Sequence, residues 1–197
     1  MSTTGIFGGS FNPIHNGHIE LARRLLSIAR LDEVWFVVSP QNPFKRGDDL
    51  LDDALRLEMV RLALKDEPRM AASDYECHLP RPSYTWRTLQ GMSRDWPDRD
   101  FVLLIGADNW ARFTEWRAWR DILAAYRIVV YPREGSTVDA AALPAGVTLA
   151  DTGLVPGSST EVRQRIARGL PIDGLVPPAV AAFIRRNRLY AADAEAE

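Results

Sequence analysis

The densest cluster of chemistry-bearing residues in the chain is the run Gly8-Gly9-Ser10-Phe11-Asn12-Pro13-Ile14-His15-Asn16-Gly17-His18. There are three histidines in all, and two of them, His15 and His18, stand three apart here with a glycine between them. An apolar run ending at Phe7 precedes the segment and a helical pattern follows it, so it occupies a strand-to-helix loop. In an open α/β sheet that is where backbone amides meet phosphate, and Gly8 and Gly9 leave room for the approach. Imidazoles at i and i+3 of a helix start can face one phosphate chain. A tight turn with incidental histidines is the blander alternative. Zinc is disfavoured because His78 and Cys77, the remaining soft ligands, have no fitting arrangement. The Walker A loop, the Gly-x-Gly-x-x-Gly fingerprint and the serine-hydrolase elbow are all absent.

A second anion site is written near the other end of the chain, at Gly157-Ser158-Ser159-Thr160-Glu161-Val162-Arg163. Ser158 with Glu161 three residues later is a capping box, which is a structural role in its own right. A helix start with several hydroxyls and free amides also attracts anions, and the Arg163 guanidinium one turn in suits phosphate oxygens. Two further segments follow strands. Lys45 stands in Asn42-Pro43-Phe44-Lys45-Arg46, and Gly106-Ala107-Asp108 directly follows Phe101–Ile105. Asp108 is thereby expected at the crevice edge, capping a helix, holding a ribose hydroxyl, or both.

The elements that must position these groups alternate. Short β-rich runs are expected at Gly5–Phe7, Val34–Val38, Met70–Ser73, Phe101–Ile105, Arg127–Tyr131 and Val147–Ala150, most of them continuously apolar, as in strands covered on both faces. Helical period runs through Ile19, Ala22, Leu25, Leu26 and Ala29, and again over Asp53–Leu64, Tyr84–Ser93, Trp116–Ala125, Thr160–Arg168 and Ala179–Arg186. Pro and Gly punctuate the loops between them, and repeats are absent. The pattern is an α/β sandwich with a mainly parallel sheet, covering helices and a C-terminal helical tail. We read one domain over residues 1–191 and a frayed, small and acidic tail over 192–197.

Composition narrows the partners. The 197 residues are 46% hydrophobic and 25% charged with a net charge of −2, which suits a globular chain with a full core. Without a basic excess, long nucleic acid is not an expected ligand, whereas a small anion needs only a few donors. The single cysteine, Cys77, excludes an intramolecular disulfide, fits a reducing compartment and is read as packing. No apolar run has the length of a signal or a membrane span, so cytoplasmic location without membrane contact is expected. Monomer and homo-oligomer are equally compatible with the sequence.

The histidine segment resembles the His-x-Gly-His signature of the nucleotidyltransferase superfamily, and 157–163 resembles that superfamily's Ser-Ser-Thr-x-x-Arg element. The resemblance implies a Rossmann-like, doubly wound fold and an ATP site. Gly8, Gly9, Ser10, Phe11, Gly106, Asp108, Arg133, Ser158, Ser159 and Thr160 would contact ATP. His15, His18, Lys45 and Arg163 would serve the chemistry. Ser83-Tyr84-Thr85 is similar to an element of bacterial nicotinate mononucleotide adenylyltransferases, and Trp116 matches the tryptophan that faces the pyridine there. These four residues would bind the acceptor. Trp110 and Trp119 are read as structural. Arg87 after Ser-Tyr-Thr, Glu134 in the loop of Arg133, and Gly157 are departures from the family pattern.

The activity so implied is transfer of adenylyl from ATP to nicotinate mononucleotide, giving nicotinate adenine dinucleotide and pyrophosphate, with Mg²⁺ carried mainly by the ATP phosphates and no protein metal site. The alternatives weighed are nicotinamide mononucleotide or phosphopantetheine as acceptor, and a non-catalytic nucleotide sensor.

Overall fold

The computed structural model describes residues 1–40 and 50–191. Lys45 and the 192–197 tail lie outside the described residues. Six strands form one sheet: β1 (Ser2–Gly9), β2 (Glu33–Val38), β3 (Met70–Ser73), β4 (Arg99–Gly106), β5 (Arg127–Tyr131) and β6 (Val147–Leu149). Their order is β3-β2-β1-β4-β5-β6, and all five pairings are parallel. The order reverses between β1 and β4, a topological switch point that opens a crevice at the C-terminal strand ends.

Alternation along each strand divides the core in two. Phe7, Phe36, Val38, Val102, Leu104, Val129 and Tyr131 face one side. There they meet α1 (Asn16–Ile28), α2 (Asp53–Ala63), α6 (Ser159–Ala167) and α7 (Pro178–Arg186). Ile6, Val37, Phe101, Leu103, Ile105, Ile128 and Val130 face the other. They pack on α3 (Thr85–Asp95), the short α4 (Ala107–Trp110) and α5 (Trp119–Ala125). The continuous apolar runs in the sequence are thus two period-2 faces superimposed.

One expected element is corrected. Trp116–Ala125 is not a single helix: Phe113–Glu115 is a 3₁₀ turn, Trp116 is extended at φ −72° and ψ 142°, Ala118 is left-handed at φ 57°, and α5 begins only at Trp119. Phe113, Trp116 and Trp119 are three apart, a spacing that a 3₁₀ turn satisfies as well as an α-helix.

Arg56 of α2 is fully buried. Its Nε donates to the Leu51 carbonyl at 2.8 Å, and Nη1 to the Ser10 and Ser39 carbonyls at 2.5 and 2.9 Å. Nη2 meets Asp53 Oδ1 at 2.8 Å, while Arg81 holds the other Asp53 oxygen at 2.7 Å. One side chain therefore joins the loop after β1, the end of β2 and the start of α2. Arg56→Met removes every one of these donors without opening a large void. It should lower the unfolding free energy by about 3 kcal/mol, read as a reduced urea midpoint at unchanged slope; an unaltered midpoint would refute this bracing role.

Candidate functional site

The two anion motifs meet at the switch point. Arg163 Nη1 donates to the Asn12 carbonyl at 2.7 Å and Ser159 Oγ to the Pro13 carbonyl at 2.9 Å. The Tyr190 hydroxyl, just beyond α7, donates to Asn12 Oδ1 at 2.8 Å. Segments from opposite ends of the sequence thereby form one wall of the crevice. Helix α6 presents its N-terminus there, with Ser158 as cap accepting the Glu161 amide at 3.4 Å, which leaves earlier amides for an anion.

His15 and His18 stack, with ring centroids 3.6 Å apart and planes at 27°. The His15 amide donates to His18 Nδ1 at 3.2 Å. That bond assigns the proton of neutral His18 to Nε2, which makes Nε2–H a hydrogen-bond donor. The Phe11 ring sits edge-on to His18 at 5.2 Å. Phe11 itself is buried, so its side chain supports the imidazole from the core, and what it can offer a nucleotide is backbone.

His15 is buried, and loss of solvent drives its pKa from 6.5 down to about 4, with the positive field of Arg133 adding to the effect. Two glycines make room for it. A Cβ on Gly157 would lie 2.9 Å from His15 Nδ1, and Gly157 adopts φ +131°, a conformation side chains avoid. A Cβ on Gly17 would collide with the Pro156 carbonyl. Gly157, a departure by the sequence pattern, is thus required by the way α6's leading loop closes over His15.

On the other side of the β1 glycines lies a cavity of about 430 Å³. Gly8, Gly9 and Ser10 border it, and so do Ser83, Tyr84, Thr85 and Trp116. The acceptor residues proposed from sequence thus share one space with the phosphate loop. Thr85 is the first residue of α3, whose N-terminus opens here. Two ring nitrogens of the site, His15 Nδ1 and Trp116 Nε1, are buried and find no partner among the described residues, an unfavourable state that native structures confine to few places.

Glu76, in the turn before α3, also lines this cavity and accepts a hydrogen bond from Thr88 Oγ1 at 2.8 Å. Burial raises its pKa, an effect that hydroxyl groups nearby partly offset. Sequence reading missed Glu76, Arg56 and Arg117, each of which looks like an ordinary surface charge until the chain folds. The remaining sequence-derived residues fall as follows. Asp108 and Arg133 face each other at 3.8 Å beside Gly106, at the ends of β4 and β5. Trp110 and Trp119 pack around Phe113 and border a separate cavity of about 420 Å³. Burial raises the Cys77 thiol pKa, consistent with a packing role.

The depressed His15 pKa makes stability pH-dependent. The unfolded chain's His15 takes its proton near 6.5 and the folded one only near 4, so unfolding takes up a proton between those values and His15 withdraws stability as pH falls through that window. In the ligand-free protein the His15 ring resonances should titrate near 4 by NMR. A midpoint near 6.5 would contradict the burial.

Comparison with known proteins agrees with this geometry. Residues 6–165 match the family described as cytidylyltransferase-like. A probable nicotinate-nucleotide adenylyltransferase of Bacteroides fragilis is 49% identical over 177 residues, 90% of this chain and 88% of the relative. Its namesake in Bacteroides thetaiotaomicron is 47% identical over 182 residues, 92% of this chain and 90% of that one. Among solved structures, the Plasmodium falciparum nicotinic acid mononucleotide adenylyltransferase complexed with NaAD superimposes with a TM-score of 0.81 at 19% identity, covering 96% of this chain and 98% of that one. The same enzyme complexed with APC gives 0.80 at 18% identity, with the same coverage. At such identity the structural likeness establishes the shared fold. The sequence likeness, extending over nearly the whole length, places this chain in the cytidylyltransferase-like family and, within it, among the nicotinate-nucleotide adenylyltransferases.

Proposed function

We propose that the protein transfers adenylyl from ATP to nicotinate mononucleotide, releasing pyrophosphate and forming nicotinate adenine dinucleotide on the way to NAD. The observation that carries this reading is the joining of the two anion motifs through Arg163–Asn12 and Ser159–Pro13 beside a cavity lined by Ser83, Tyr84, Thr85 and Trp116. ATP would lie along Gly8, Gly9 and Ser10 with its phosphates between the imidazoles and the α6 N-terminus. Asp108 and Gly106 would take the ribose side, with Arg133 nearby. The pyridine would occupy the cavity against Trp116, its carboxylate at the α3 start.

The reaction is in-line attack by the acceptor 5′-phosphate on the α-phosphorus of ATP. That phosphate is ionised near neutral pH, so the protein's task is positioning and charge stabilisation. His18 donates from Nε2 as charge develops, His15 aligns it through the stacked ring, and Arg163 and Lys45 neutralise the departing pyrophosphate. The groups gathered around the phosphates would be imidazole, guanidinium, hydroxyl and amide. They are donors to anions, so Mg²⁺ would arrive on the triphosphate and supply further charge neutralisation. The working location is the cytoplasm, where both nucleotides are at hand.

Incubation of the purified protein with ATP and either nicotinate or nicotinamide mononucleotide should release pyrophosphate far faster with nicotinate, because a site arranged around a carboxylate leaves donors unpaired with the amide. No dinucleotide from either acceptor would reject the proposal. His18→Ala, with its circular dichroism spectrum unchanged, should lose about 3 kcal/mol of transition-state stabilisation, roughly two decades of kcat. Retention of wild-type turnover would remove His18 from the chemistry.

A further inference from the structure

The acceptor cavity carries a cation that no feature discussed so far employs. Arg117 directly follows Trp116 and lines the same space. Its guanidinium lies 5.1 Å from the centroid of the Tyr84 ring, and Tyr84 is the residue that precedes α3. Arg117 makes no ion pair among the described residues.

The other charges of this wall are already engaged. Glu115, next to Trp116, is held by Arg112 at 2.7 and 3.1 Å. Glu76 is bonded by Thr88 and leans toward its uncharged form through burial. Tyr131, a phenol of the same cavity, is held in its neutral form by burial. Arg117 is therefore the one guanidinium among the described lining residues, and neither carboxylate of that lining is within ion-pair distance of it. The cation–π contact holds the guanidinium near the Tyr84 ring, and a guanidinium so held keeps N–H donors for a carboxylate.

We propose that Arg117 is a specificity-determining residue: its guanidinium, steadied on the Tyr84 ring, supplies the positive charge that favours a carboxylate-bearing pyridine over the carboxamide. The inference rests on the acceptor assignment above and adds to it a side-chain charge, distinct from the α3 amides. Arg87 provides an internal control. Its guanidinium is also over Tyr84, at 5.4 Å, but it is not part of the cavity lining. An effect exerted by ordering Tyr84 should be shared by both arginines, whereas an effect exerted by charge in the cavity belongs to Arg117.

The test compares Arg117→Ala, Arg117→Lys and Arg87→Ala with the wild type, using nicotinate and nicotinamide mononucleotide as acceptors. Arg117→Ala should raise KM for the nicotinate acceptor on the order of tenfold, with kcat, the KM for ATP and the nicotinamide reaction within about twofold. Arg117→Lys should recover part of the loss, and Arg87→Ala should keep most of the discrimination. Calorimetric binding of the two mononucleotides to the same proteins gives a readout independent of turnover. Equal losses for both acceptors, an equal effect of Arg87→Ala, or unchanged selectivity in Arg117→Ala would overturn the proposal. Wild-type binding that prefers nicotinate without any turnover would instead fault the reaction assigned above and leave Arg117 to be judged by binding, while wild-type binding without preference would overturn the Arg117 inference outright.

Discussion

Three carbonyls of the loop after β1 accept hydrogen bonds from two distant helices: Ser10 from Arg56, Asn12 from Arg163 and Pro13 from Ser159. An irregular loop has no ladder to satisfy its backbone groups, so its shape is set by whichever donors reach it. Here the donors come from α2 and α6, with Tyr190 after α7 securing the Asn12 side chain. The imidazole pair sits at the end of this braced loop. Its aim is accordingly a property of the whole sheet face, and α1 alone would not fix it.

The bracing has an electrostatic counterpart. His15 is kept neutral by burial and by Arg133, while His18 is oriented through the His15 amide and through Phe11. Two stacked imidazoles tolerate one another because at least one of them is uncharged. The adjoining cavity is built differently: Glu76 is buried and Trp116 Nε1 finds no partner among the described residues. Such features reduce the stability of the free protein and are the sort that binding sites retain.

Much of this was legible in the sequence, for identifiable reasons. The strands were visible because covered parallel strands read as apolar runs, and the loop after β1 stood out because glycine and histidine are concentrated there at short spacing. Helix α6 was announced by Ser158, and α7 begins at a proline in its first turn. Trp116 was placed in a helix because its neighbours recur every third residue, a period shared by two kinds of turn. Arg56, Glu76 and Arg117 carried no local signal: a charged residue in an amphipathic segment reads as solvated, and only tertiary packing turns it inward or brings it to a cavity. Gly157 departs from the family pattern, and the reason for a glycine there, the closeness of His15, is invisible in the sequence because the two are remote along the chain.

The sheet order imposes a sequence of events on the growing chain. Strand β1 is central and precedes the other five described strands in the chain, and its second edge waits for β4, with Thr4 paired to Phe101. Until that strand is made, the edge that will adjoin the switch point is open to mispairing, and parallel partners so far apart close slowly. The loop that carries His15 and His18 is braced later still, since its last struts arrive with α6 and Tyr190. A chain stopped before β4 therefore leaves an edge of this apolar strand unpaired and also lacks the struts from α6 and Tyr190, so both defects trace to a single topological choice.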